Sequence, residues 1–214
     1  MGIQRVLDRI QAACLRARRS PSEVRLVAVT KGHTLEEIRE RVLAFGNFPL
    51  GESRIQEALP KMELLQGIEW HFIGPLQRNK ARFAVSFDLI HSVDSLPLAQ
   101  MLARKALQVG KIQPVLVEVN LSLELQKHGF LQQELAEAVA QMREMEGLEV
   151  RGLMTIAPYT SQPQTVRPVF AQLSSLTDDL GLKERSMGMS GDFEVAVEEG
   201  ATLVRVGTAL FEPD

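Results

Sequence analysis

The amino-acid sequence predicts an α/β fold, a single eight-stranded β/α barrel spanning residues 1–214. Three observations predict it. Short apolar runs alternate with amphipathic stretches from residue 24 onward, the pattern of strands and helices around a parallel sheet. The runs supply eight strand candidates, and no low-complexity linker or shift of composition divides the chain. The length of 214 residues allows a sizeable core but makes the barrel a small one, since such folds typically take about 250 residues. The alternative is an open doubly wound sheet, but no G-x-G-x-x-G follows the first strand.

Taken in order, Ile3, Val6, Leu7, Ile10, Ala13 and Cys14 recur at helical spacing, so the first segment reads as an amphipathic helix. Its Arg5, Arg9, Arg16, Arg18 and Arg19 also suggest a transit peptide or an RNA-binding arm, but they suit the outer face of that helix better. Val24 to Val29 is the first strand. A helix from Leu35 to Phe45 follows, with Thr34 as N-cap and Glu36 and Glu37 at its positive end. A weak second strand, Phe48 to Leu50, precedes a helix from Arg54 to Leu65, and Glu69 to Ile73 is the third strand. Asp88 to Val93 is the fourth, after which Asp94 or Ser95 caps a helix that tolerates Pro97 in its first turn. Pro114 to Val119 is the fifth strand, Leu131 to Met145 a helix, Leu148 to Ile156 the sixth strand and Val166 to Leu180 a helix. Two compact units close the chain: strand Arg185 to Met189 with a helix from Phe193, and strand Thr202 to Val206 before Gly207.

Composition is that of a globular protein, 45% hydrophobic and 24% charged. Against 27 Asp and Glu stand 24 Lys and Arg, a net charge of −3, so no global basic field draws the chain to nucleic acid or anionic lipid. The lone Cys14 suits a reducing cytoplasm. No apolar run approaches the roughly 20 residues of a membrane span, and the N-terminus lacks a signal-peptide core, which predicts a cytoplasmic protein.

Active sites of β/α barrels lie at the carboxyl ends of the strands. Lys31 stands there after the first strand, with its stem expected to start inside an apolar mouth where desolvation frees the amine for imine formation. An exposed loop lysine is the competing reading. Ser186 to Asp192 (SMGMSGD) precedes a helix, and such a turn can converge N–H groups on a phosphate, with Ser190 adding a hydroxyl; simple helix capping explains it equally well. Arg205, Val206, Gly207 and Thr208 form a second such turn after the eighth strand. Phosphate sites in these barrels often use the loops after strands seven and eight together. Arg205 could meet an anion, a cofactor ring nitrogen or solvent. A reactive lysine opposite a phosphate cradle fits two chemistries, a sugar-phosphate imine or pyridoxal phosphate, and the residues alone do not choose.

The ordered motifs resemble those of the pyridoxal phosphate homeostasis proteins, the YggS and PROSC type, from Val24 to Phe211. They are Val27 to Lys31 (VAVTK), Gly51 to Glu57 (GESRIQE), Trp70 to Gly74 (WHFIG) with Leu76, Gln77, Asn79 and Lys80, and His91 to Ser95 (HSVDS). Val119 with Asn120, Lys127 with Gly129 and Phe130, Arg151 to Thr155 (RGLMT), Ser186 to Ser190 (SMGMS) and Arg205 to Thr208 (RVGT) complete them. The resemblance implies a TIM-type (β/α)8 barrel like the N-terminal domain of alanine racemase, fold type III, without the C-terminal β domain. It implies pyridoxal 5′-phosphate, a vitamin B6 cofactor, as a Schiff base on Lys31, phosphate contacts from Ser190, Gly207 and Thr208, and Arg205 near the pyridine nitrogen. Arginine there disfavours ring protonation and weakens the electron sink, so little robust catalysis is expected. Ser53 stands where the family commonly has Asn, which shortens a contact near the cofactor or leaves it to water. Pro75 and Arg185 are further departures.

Other residues attract weaker readings. His71, between Trp70 and Phe72, and Met154 read as core residues, Asn120 as a strand-end cap or mouth residue, and Lys80 and Lys127 as loop residues. His33, His91 and His128 share no ligand spacing, so no metal site is expected. The leading function is intracellular pyridoxal phosphate homeostasis, with apo-enzymes that use the cofactor as candidate partners and a monomer as the expected state. An amino-acid racemase is the alternative; it needs a second acid or base, and the only tyrosine, Tyr159, follows strand six. An aldolase-like barrel with a sugar phosphate on Lys31 ranks last.

Overall fold

Eight parallel strands close into a ring in the computed structural model, which describes residues 2–122 and 128–212. They are β1 (Arg25–Val29), β2 (Leu50–Glu52), β3 (Trp70–Phe72), β4 (Leu89–Val93), β5 (Gln113–Glu118), β6 (Leu148–Met154), β7 (Glu184–Ser186) and β8 (Leu203–Val206). Each pairs with the next, and β8 returns to β1 from Arg25 opposite Leu203 to Ala28 opposite Val206. Closure leaves no sheet edge to protect. The predicted barrel is therefore the observed architecture.

Helices cover the ring: α1 (Gly2–Arg16), α2 (Leu35–Arg41), α3 (Ile55–Leu64), α4 (Ala81–Ala84), α5 (Leu96–Gln108), α6 (Gln132–Arg143), α7 (Arg167–Asp179), α8 (Phe193–Glu198) and α9 (Thr208–Phe211). The spacing read from the first segment is the packing seen. Ile3, Val6, Ile10, Ala13 and Cys14 are buried on α1, which packs against α8 and α9. Two of its arginines pair with acidic residues of α8, Arg9 2.7 Å from Glu194 and Arg16 2.7 Å from Glu198. Thr34 caps α2 as expected: its Oγ1 accepts from Glu37 N–H at 3.2 Å, while Glu37 accepts from Thr34 N–H at 2.8 Å. Ser95 occupies the N-cap position of α5 but makes no side-chain capping bond; its hydroxyl donates to Asp94 instead.

Four differences from the sequence reading have local causes. β2 begins at Leu50, two residues late, because Pro49 has no N–H to give a ladder; Pro49 only accepts, from Ala28. β7 ends at Ser186, so Met187, Gly188 and Met189 belong to the following turn. α2 ends at Arg41, and the rest of the predicted helix is a 3-10 turn, Leu43–Phe45. The four-residue helices α4 and α9 were not anticipated, since four residues carry no readable period.

The main core lies between the ring and its helices. A second, smaller cluster fills the ring itself: Val27, Leu89, Leu116, Met154 and Leu203. Strand side chains alternate, so the residue two places further along points to the same side. That rule puts His91, Glu118 and Arg205 inside the ring, one step closer to its carboxyl end than Leu89, Leu116 and Leu203. The barrel thus has an apolar floor and a polar layer above it. Among the described residues no helix is long and apolar enough to cross a membrane.

Candidate functional site

Lys31 follows β1 by two residues, and its side chain is exposed. The expectation of a desolvated stem is corrected here: Val27, Ala28 and Val29 are buried, but the chain turns outward at Lys31 before Gly32, which holds a positive φ of 78°. Lys31 nevertheless lines a cavity of about 330 Å³ with Val29, His33, Gly207, Thr208, Phe211 and Glu212. The first and eighth strands are neighbours only because the ring closes. Lys31 and the Gly207 turn, 176 residues apart in sequence, meet for that reason.

The backbone under Lys31 is held from the next strand. Glu52, at the end of β2 with no exposed surface, accepts from Thr30 Oγ1 at 2.8 Å and from Lys61 Nζ at 2.6 Å. Lys61 Nζ also donates to the carbonyl of Thr30 at 2.8 Å. One ion pair, fully buried at Glu52 and partly at Lys61, therefore joins β1, β2 and α3 at the residue preceding Lys31. Sequence reasoning places Glu52 only within the Gly51 to Glu57 motif and Lys61 only within a helix, and it misses their pairing because it ends strand two at Leu50.

The two Gly-containing turns after β7 and β8 come together. Gly207 N–H donates to Ser190 Oγ at 3.4 Å, which ties the turns directly. Among the described residues, no partner accepts from the N–H groups of Ser190, Gly191 or Thr208. The two joined turns thus carry three N–H donors and two hydroxyls, those of Ser190 and Thr208. Gly188 is required for this shape: it has φ of 90°, and a Cβ there would lie 2.6 Å from the Cβ of Ala196. Asp192 does not cap α8 through its own first turn; it accepts from Met189 N–H at 2.6 Å and folds the turn back on itself. With only six residues, α8 contributes amides rather than a long helix dipole.

Arg205 reaches the polar layer of the barrel, 5% exposed. Its Nη1 donates to Ser186 Oγ at 2.5 Å and its Nη2 to the Thr155 carbonyl at 3.0 Å. Burial lowers its pKa to about 10, against the attraction of Glu118 and Asp192. Glu118 is pushed up to about 7, chiefly by burial and then by the negative charge of Asp94. His91, wholly buried beside His71 and Arg205, is held well below the ordinary histidine value, with desolvation the leading cause. His71 is indeed a buried residue, but a polar one: its ring bonds both His91 and Glu69.

Ser53 is not among the residues lining the Lys31 cavity. It lines a second cavity, of about 540 Å³, with Pro75, Gln77, Lys80, Asp94 and His128 among others. Arg185 pairs with Asp178 on α7. Met154 belongs to the apolar floor. Asn120 is buried, and its Oδ1 accepts from Ser122 Oγ at 3.2 Å. Lys127 lies outside the described residues.

The pattern model for the alanine racemase N-terminal domain matches residues 6–213. A pyridoxal phosphate homeostasis protein of Deinococcus radiodurans is 49% identical over 211 residues, covering 99% of this chain and all of that one. The structure of PipY from Synechococcus elongatus with PLP bound superposes with a TM-score of 0.83 at 39% identity, covering 97% of this chain and all of that one. An alanine racemase of Clostridium difficile shares the fold, with a TM-score of 0.76 at 15% identity, but this chain covers only 56% of its length. With near full-length agreement in sequence and an eight-stranded ring of the same build, the chain belongs to the pyridoxal phosphate homeostasis family of alanine racemase N-terminal domain proteins.

Proposed function

We propose that this protein binds pyridoxal 5′-phosphate at the carboxyl end of the barrel as a Schiff base with Lys31, and that it holds and releases the cofactor inside the cell. One observation carries the reading: the exposed amine of Lys31 shares a cavity with Gly207 and Thr208, whose turn is tied to Ser190. The unpartnered N–H groups of Ser190, Gly191 and Thr208, with two hydroxyls, fit a phosphate monoester, which needs several convergent donors. Arg205 has five N–H donors and uses one toward Ser186 and one toward Thr155, so it retains donors for a ring nitrogen. An arginine there donates and does not accept, which keeps such a nitrogen unprotonated. When bound, the cofactor supplies an electrophilic carbonyl and an electron-withdrawing ring.

We read the site as one that holds the cofactor, because an arginine at the ring nitrogen weakens the electron sink that turnover needs. Tyr159, the only tyrosine, is fully exposed on the segment after β6 and is not among the residues lining the Lys31 cavity. A racemase needs an acid or base on each face of its substrate; besides Lys31 the titratable side chains lining the cavity are Glu212 and His33, and His33 is stacked on Phe211 and paired with Glu37. The cytoplasm suits a chain whose single cysteine is buried and unpaired. Apo-enzymes that use the cofactor are the partners we propose, with the protein acting as a monomer. The test is direct. Purified protein reconstituted with pyridoxal phosphate should absorb visible light, and borohydride should fix the cofactor to the peptide carrying Lys31. A colourless protein after reconstitution, or label on another lysine, rejects the reading.

A further inference from the structure

A continuous hydrogen-bond chain crosses the interior of the barrel. Glu69 Oε1, immediately before β3 at the amino end of the ring, lies 2.8 Å from His71 Nε2. His71 Nδ1 is 2.9 Å from His91 Nε2, and His91 Nδ1 is 2.8 Å from Ser186 Oγ. Ser186 Oγ in turn accepts from Arg205 at 2.5 Å. His71, His91 and Ser186 have no exposed surface, whereas the Glu69 side chain is 40% exposed and also pairs with Arg25.

The chemistry of the two ends sets the direction of every bond between them. Hydrogen bonding from His71 holds the Glu69 carboxyl down at about 2, so it is an acceptor only. His71 must then carry its proton on Nε2, which makes its Nδ1 an acceptor. His91 must donate from Nε2, and its Nδ1 must accept. The Ser186 hydroxyl hydrogen therefore points at His91, leaving its lone pairs for the guanidinium of Arg205, which can only donate. A positively charged His71 would reverse the middle of the chain, but it would place a second cation in the interior that already holds Arg205.

We propose that Glu69, His71, His91 and Ser186 are positioning residues that act through Arg205, forming a one-way relay with both imidazoles neutral and protonated on Nε2. Its job is to hold the guanidinium of Arg205 in one orientation at the barrel mouth, a role that rests on the cofactor reading above. The relay explains why a core otherwise suited to aliphatic side chains spends two histidines, a serine and an arginine. Each imidazole has one donor and one acceptor, so each can be satisfied without a net charge.

Long-range proton–nitrogen spectra of histidine-labelled protein without cofactor read the tautomers directly. Both His71 and His91 should appear as neutral Nε2–H imidazoles, and an Nδ1–H form or an imidazolium at either position overturns the relay. Ser186→Ala then tests its purpose. That variant should keep the borohydride-fixable link at Lys31 but bind pyridoxal phosphate about tenfold more weakly, with a shifted visible absorbance maximum. An unchanged affinity and spectrum reject the role toward the cofactor. Failure of the wild type to take up pyridoxal phosphate rejects the cofactor reading itself, and the tautomer result stands separately from it.

Discussion

The ammonium of Lys61 lies 2.6 Å from Oε1 of Glu52, a carboxylate with no exposed surface, and both bond Thr30, the residue before Lys31, so that β1, β2 and α3 are joined there. Removing one partner of a buried ion pair strands the other, a loss of about 3–5 kcal/mol. Lys61→Met should therefore destabilise the fold strongly in denaturant unfolding. Adding Glu52→Gln to it should recover part of the loss, and additive effects in that double-mutant cycle would contradict the coupling.

Pyridoxal phosphate affinity should report on the two turns separately from the covalent link. Ser190→Ala and Thr208→Val each remove a hydroxyl donor toward an anion and should weaken binding about tenfold in an absorbance titration. Lys31→Ala should abolish the borohydride-stable link while the phosphate turns still support weak reversible binding. Equal loss in all three variants would argue against this division of labour.

Gly188→Ala should cost about 2–4 kcal/mol, measured by thermal unfolding. The added methyl meets the Cβ of Ala196 at 2.6 Å, and the backbone keeps a φ of 90° that L residues rarely adopt. The same change should loosen the turn that carries Ser190, so cofactor affinity should fall along with stability.

Stability should decline as pH rises through neutrality because of Glu118. Its folded pKa is about 7 against an ordinary 4.5, so the unfolded chain gives up this proton first. The contribution is complete below pH 4.5 and is lost as pH climbs through 7. Glu118→Gln should flatten that slope and raise stability at pH 8 by about 1–3 kcal/mol, checked by urea unfolding at pH 5 and pH 8.

The barrel was legible because its signals are local. Alternating apolar runs mark strands and the spacing from Ile3 to Cys14 marks α1, whose buried residues are all among those the spacing names, with Leu7 only half-buried. Thr34 with Glu37 is a helix start within four residues of sequence. Lys31, Gly207 and Thr208 were legible as strand-end residues, since the barrel rule assigns chemistry to that end. The limits β2 and β7 were less legible, because a three-residue strand is set by its neighbours' hydrogen bonds more than by its own residues.

What the sequence by itself determined was the eight-stranded alternation, the amphipathic faces and the candidate lysine with its two turns, all properties of residues close together in the chain. Only the tertiary structure decided that Lys31 is exposed and shares a cavity with Thr208, that Glu52 is buried against Lys61, and that His91 meets Ser186 across 95 residues of sequence. Ring closure is the physical reason. It brings the ends of distant strands within hydrogen-bond reach, and a polar side chain's partner is then chosen by position in the ring, which no local spacing encodes.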